Sequence, residues 1–164
     1  MRPGRILHPE LARALATCGH SDIVLVTDAG FPIPKNACVI NLGYYEGQVD
    51  VIDILKMLRK EIFVEAVSFA TEVETRHPDL YKDIQKIYTG SGAEFVSTTH
   101  ENLVEKIAPK AKVIIRSGSF NAWANFALIC STDPFAWFTE KDIVILDTYV
   151  ERRKKIRNNE VPSL

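Results

Sequence analysis

The 164-residue chain lacks a thiol framework. Its three cysteines, Cys18, Cys38 and Cys130, are odd in number and include no CxxC pair. Neither a zinc cluster nor a disulfide scaffold is expected, and the thiols read as small buried hydrophobes. The four histidines, His8, His20, His77 and His100, show no HExxH or HxH spacing, so no metal site is expected. Nucleotide loops are missing too. There is no Walker loop, GxGxxG or GxSxG, and Gly90-Ser91-Gly92 lacks the rest of any phosphate loop. Charge of one sign is also absent: a formal net charge of −1 gives no global attraction to nucleic acid or to anionic membrane. No apolar run approaches the ~20 residues that span a bilayer. Met1 to Pro9 carries two arginines and no apolar core, so no secretory leader is expected. The expected location is the cytoplasm. Internal repeats and low-complexity linkers are absent as well.

What is present is an alternation of short apolar runs and amphipathic segments. Pro9 to Cys18 reads as a helix with proline in the first turn and Leu11, Leu15 and Cys18 on one face, closed by a left-handed Gly19. Ile23-Val24-Leu25-Val26-Thr27 is an unbroken aliphatic run, as in a strand covered on both faces. It stops at Asp28-Ala29-Gly30-Phe31-Pro32-Ile33-Pro34, where glycine and two prolines forbid regular structure. Further strands are expected over Cys38–Leu42, Ile62–Ala70, Ala93–Ser97, Val113–Ile115 and Phe126–Cys130. Helices are expected from Val51 to Lys60, with Val51, Ile54, Leu55 and Leu58 as the apolar stripe, and from Pro78 to Tyr88. Thr98-Thr99-His100-Glu101 matches a capping box for a helix running to Pro109. The alternation argues for a three-layer α/β/α sandwich around a mainly parallel or mixed sheet. Residues 1–132 form this domain. Residues 133–164, with an aromatic cluster, Ile143–Leu146 and the basic run Arg152–Lys155, read as an appended strand and helix, too short for a core of their own.

Ligands of open α/β sheets sit beyond the carboxyl ends of the strands. Asp28 ends the first buried strand, His100 lies in the first turn of a helix after a strand, and Ser117 to Asn125 follows another strand. His20 precedes the first strand and belongs at the opposite end, so within one subunit it stands apart. Each also has a plain structural reading. Asp28 and Asn125 serve as turn residues, His20 as a cap, His100 as an exposed helix residue and Trp123 as core.

Gly19-His20-Ser21-Asp22 followed by Asp28-Ala29-Gly30-Phe31-Pro32-Ile33-Pro34-Lys35 resembles the signature of the D-ribose pyranase and L-fucose mutarotase family. Thr98-Thr99-His100-Glu101 and Ile115-Arg116-Ser117-Gly118 leading to Ala124-Asn125 match in the same order, over roughly residues 1–132. The Ala29 to Pro34 segment is closer to the ribose branch. The resemblance implies a cofactor-free isomerase that interconverts ring forms of a free monosaccharide. It also implies a ring-shaped homo-oligomer, a pentamer or decamer, with sites between subunits, which would reconcile His20 with the other groups. Carried over by motif, His20 corresponds to the proton donor, Asp28 and His100 to substrate-binding groups, and Trp123-Ala124-Asn125 to a Tyr-Ala-Asn sugar-binding segment. The chemistry suits these residues. Opening a hemiacetal requires a proton on the ring oxygen and removal of one from the anomeric hydroxyl. A histidine, titrating near ~6.5, performs either step, with Asp28 or His100 assisting His20.

Trp123 departs from the family's tyrosine: an indole stacks on a sugar and donates one hydrogen bond but cannot accept one. The extension goes beyond the usual family end. Covering the site mouth, altering ring assembly and packing outside are all open to it. Two other readings remain: an L-fucose-type mutarotase, and a non-catalytic sugar-binding module that kept the fold.

Overall fold

A computed structural model describes residues 5–164, so Met1 to Gly4, the start of the segment read for a leader, lie outside it. The long aliphatic runs form a six-stranded sheet. Its strands are β1 (Ile23–Thr27), β2 (Val39–Asn41), β3 (Val64–Ala70), β4 (Glu94–Thr98), β5 (Val113–Arg116) and β6 (Phe126–Cys130), in the order β2-β5-β1-β6-β3-β4. All pairings are parallel except those of β6, which runs antiparallel to both β1 and β3. The carboxyl ends of five strands and the amino end of β6 therefore share one edge of the sheet.

Alternation along each strand distributes side chains to two faces. Val24 and Val26, Val113 and Ile115, and Phe126 and Leu128 enter one buried cluster, while Leu25, Ile114 and Ala127 enter another on the opposite face. The larger cluster is covered by α1 (Pro9–Ala16), α2 (Val51–Glu61) and α4 (Pro78–Tyr88). In α2 the stripe Val51, Ile54, Leu55 and Leu58 is wholly buried, and the Asp50 carboxylate caps the first turn by accepting from the Ile52 N–H at 2.9 Å. Burying each of these side chains contributes about 2 kcal/mol. The second face is covered by the loop containing Phe31 and by an irregular helix. That helix opens as α5 (His100–Asn102), widens into a π-turn (Leu103–Ile107) and ends in a 3-10 turn at Pro109. A six-residue helix, α3 (Thr71–Arg76), links β3 to α4.

Three local expectations are corrected. The cap of α5 is Thr99, whose hydroxyl accepts from Asn102 N–H at 3.1 Å, so the register sits one residue beyond the Thr98–Glu101 box. Thr98 is still paired to Ala70 in the β3–β4 ladder and is not free to cap. After α1 the left-handed residue is Ser21, with φ 67°, because Ser21 N–H donates to Cys130 O and turns the chain into β1. Ile143–Leu146 forms no strand: Val144 is 86% exposed, and the Ile143 N–H bonds only within its own turn, to Glu140 O.

The extension's helix, α6 (Asp147–Arg157), packs against the other edge of the sheet. Arg152, the one buried residue of α6, donates to Ser131 Oγ and, at 3.0 Å, to Val64 O. Tyr149 Oη and Thr132 Oγ1 lie 2.6 Å apart, and farther on Gly90 N–H donates to Glu160 O at 2.9 Å. No helix among the described residues is long and apolar enough to cross a membrane.

Candidate active site

Asp28 emerges where β1 ends, and its carboxylate is held from both sides. Oδ1 accepts from the Gly30 N–H at 2.9 Å, and Oδ2 accepts from the Asn125 side-chain amide at 2.7 Å. The Asn125 carbonyl in turn accepts from the Asp28 backbone N–H at 3.0 Å. Asn125 is completely buried, whereas Asp28 is half-buried and lines a cavity of about 330 Å³ with Ser119 and Asn121. A carboxylate fixed in this way keeps acceptor capacity free for a ligand hydroxyl.

The backbone around this pair is tightly built. Ser117 Oγ donates to Thr27 O at 2.7 Å and accepts from the Ser119 N–H at 3.1 Å, while the Ala29 N–H donates to Ser119 O at 2.9 Å. Trp123 adopts φ 59°, a left-handed conformation that costs a bulky residue about 1–3 kcal/mol. Its ring is partly buried against both core clusters. Ala124 is fully buried, and the Asn125 N–H donates to Trp123 O at 2.7 Å. The strained turn thus aims the Asn125 amide at Asp28.

His100 opens α5, with its ring edge-on to Phe31 at a centroid distance of 6.0 Å. Its Nδ1 is buried without a hydrogen-bond partner. Buried polar atoms are ordinarily satisfied. Thr27 Oγ1, Glu72 Oε2 and Arg116 Nε are unpartnered in the same way, and all four residues belong to this end of the sheet. Such a concentration marks a place where a polar ligand would satisfy what the protein leaves open.

His20 lies at the other end. β1 separates it from Asp28 by five strand residues, about 17 Å at ~3.3 Å each. Its ring is about half exposed, and Nδ1 stands 3.7 Å from Glu65 Oε2, which supplies a countercharge when the imidazole carries its proton. The turn that presents it is fixed by Asp22, whose carboxylate accepts from the Gly19 N–H at 2.7 Å and from Lys112 Nζ at 3.0 Å. Those donors, the Gly19 N–H first, hold the Asp22 carboxyl below the ordinary carboxylate range. Beneath the turn, burial pushes the Cys130 thiol up to about 12, leaving it inert near neutrality.

The structure thus brings Asp28 and Asn125 into contact, places His100 at the same end of the sheet, and leaves His20 alone at the opposite one. Glu65 and Glu72 were not among the residues singled out from the sequence, and Arg116 entered only within the Ile115 to Gly118 stretch. A signal existed for Glu65, a lone charge inside the apolar run Val64–Ala70. Glu72 had none.

The fold and these groups define a class: a mixed-sheet α/β protein equipped to hold a small hydroxylated ligand and to exchange protons with it. Within that class the chain belongs to the RbsD / FucU transport protein family, whose model matches residues 1–132. D-ribose pyranase 1 of Streptomyces griseus is 36% identical over 152 residues, covering 93% of this chain and 99% of the relative. D-ribose pyranase 2 of Rubrobacter xylanophilus is 34% identical, covering 93% and 97%. Matches of that length run well into residues 133–164. The structure of Bacillus subtilis RbsD complexed with D-ribose superposes with a TM-score of 0.76 at 30% identity, covering 81% of this chain and 99% of that one. The fucose mutarotase of Streptococcus pneumoniae, in complex with L-fucose, gives a TM-score of 0.65 at 21% identity, covering 76% and 93%, a likeness of fold.

Proposed function

We propose that this protein is a cofactor-free isomerase that interconverts pyranose, furanose and anomeric forms of a free monosaccharide, ribose first, in the cytoplasm. The observation that carries the reading is its similarity to two D-ribose pyranases across 93% of the chain. The polar groups at the two sheet edges suit that chemistry. Protonated His20 delivers its proton to the ring oxygen as the bond from that oxygen to the anomeric carbon breaks. Asp28, or His100, takes the proton of the anomeric hydroxyl, and the carbonyl forms. Rotation about the freed carbon, or attack by a different hydroxyl, closes the ring in another form as the protons return. Trp123 offers an aromatic face and Asn125 holds Asp28 in place.

Because His20 and Asp28 stand at opposite ends of β1, a complete site takes His20 from one subunit and Asp28, His100 and Asn125 from its neighbour. That requires a head-to-tail interface, which closes into a ring, a pentamer or a decamer of two rings.

The test is ring-form exchange measured by NMR saturation transfer with ribose, fucose and a panel of other aldoses. Accelerated exchange of ribose, lost in a folded His20→Ala variant, is the expected result. Near-normal exchange in that variant would remove His20 from its role. No acceleration with any aldose would refute the activity.

A further inference from the structure

His20 is not left facing open solvent. It lines a cavity of about 660 Å³ whose opposite wall is the start of α6, with Glu65 at the sheet side and Thr148 and Glu151 on the helix. The helix is locked there. Arg152, the residue after Glu151, is buried and donates to Ser131 Oγ and Val64 O, and Tyr149 meets Thr132 across 2.6 Å. A wall held by a buried guanidinium and a side-chain hydrogen bond keeps its exposed groups in fixed positions, as a binding surface requires.

The charge of the cavity is equally specific. Glu65, Glu94, Asp147 and Glu151 share the cavity with Arg152, Lys155 and His20 itself. The terminal nitrogens of Arg152 are committed to Ser131 and Val64, and Lys155 Nζ lies 3.3 Å from Glu94 Oε1. What remains beside His20 is carboxylate and hydroxyl. Such a lining accepts hydrogen bonds from the hydroxyls of a neutral polyol.

We propose that α6 is the outer wall of the sugar site at His20, where Thr148 and Glu151 hydrogen-bond to hydroxyls of a free aldose and set its affinity. This rests on the isomerase reading above and assigns the extension a part in substrate selection.

The experiment compares the wild type, the Thr148→Val/Glu151→Gln double variant, His20→Ala and, as a control, the exposed Lys154→Ala on the outer side of α6. Ribose binding is measured by titration calorimetry and ring exchange by saturation transfer. Both substituted positions are exposed, so the variant should fold, and its melting curve checks this. The expected result is a tenfold or greater weakening of Kd and KM in the double variant with kcat within about threefold, whereas His20→Ala loses kcat and Lys154→Ala is unchanged. Unchanged Kd and KM in the double variant, with wild-type exchange intact, overturns the wall and leaves the isomerase reading standing. If the wild type binds ribose without accelerating exchange, the isomerase reading fails and the ratio of Kd values still decides the wall. No binding of any aldose overturns both.

Discussion

Asn125→Asp exchanges a buried amide for a carboxyl of the same shape, at the point where that amide donates to Asp28 Oδ2 at 2.7 Å. The variant sets an acceptor against an acceptor. Two carboxylates within ~4 Å repel by about 4 kcal/mol at an effective dielectric of ~20, which corresponds to about 3 pK units. The half-exposure of Asp28 makes that an upper figure. The pair should therefore keep one proton shared between its oxygens far above pH 4. The sign follows from linkage. The unfolded chain releases this proton near ~3.9, while the folded chain retains it to about pH 7, so the folded state binds more protons in between and stability falls as pH rises. Relative to wild type, the variant should lie within about 1 kcal/mol at pH 3.5. It should then lose ground by up to about 1.4 kcal/mol per pH unit, reaching a deficit of about 4 kcal/mol by pH 7. Urea unfolding of both proteins at half-unit pH steps measures this directly. A constant offset across the whole range would refute the bond between Asn125 and the Asp28 carboxylate.

Asp22 tests the His20 edge: its folded pKa is depressed, so its stabilisation is present above the unfolded value and is lost as pH falls through the folded one. Asp22→Asn should therefore flatten the acid limb of the stability profile below pH 4, and an unchanged acid limb contradicts this. Gly118→Ala should fold poorly, because its Cβ would enter the backbone carbonyls of Gln48 and Tyr45, which cannot swing aside; a loss of at least ~2 kcal/mol in chemical unfolding is expected, and a loss below 0.5 kcal/mol would contradict the close approach of the two loops. If His20→Ala and Asp28→Asn are each inactive alone, mixing them during refolding should restore about a quarter of wild-type exchange, since a random head-to-tail ring places both intact groups at one junction in four. No recovery in properly assembled rings would confine the site to a single subunit.

How much of this was legible in the sequence differs by element. The stripe of α2 and the runs of β1 and β6 are unambiguous because burial on one face, or on both, leaves an unmistakable apolar period. The direction of β6 is not encoded that way, since a doubly covered strand reads the same whether parallel or antiparallel. α6 buries only Arg152, so it carries no apolar stripe and is set by anchoring hydrogen bonds. Ile143–Leu146 has strand-like composition but pairs with neither edge strand, β2 nor β4. At the site, Asp28 and His100 could be placed from the ends of their strands. The Asp28–Asn125 contact spans 97 residues of chain and depends on the strained Trp123 turn, which no local pattern announces. Glu65 becomes interpretable only when β3 is seen to begin beside the turn carrying His20.

The antiparallel strand explains how these parts cohere. Had β6 run parallel to its neighbours, its first residues would lie at the His20 edge and Asn125 could not reach Asp28. Reversed, β6 begins at the carboxylate edge, where Asn125 meets Asp28, and ends at the other edge, where Cys130 O accepts from the Ser21 N–H beside His20. One strand of five residues thereby supports both halves of the proposed site. It also fixes where the chain must continue. Ser131 and Thr132, immediately beyond β6, are the anchors that Arg152 and Tyr149 grip. A segment added at the end of this strand emerges at the His20 edge and packs there at little cost in loop entropy. The extension therefore lies beside the half of the proposed site that holds His20 rather than the half that holds Asp28.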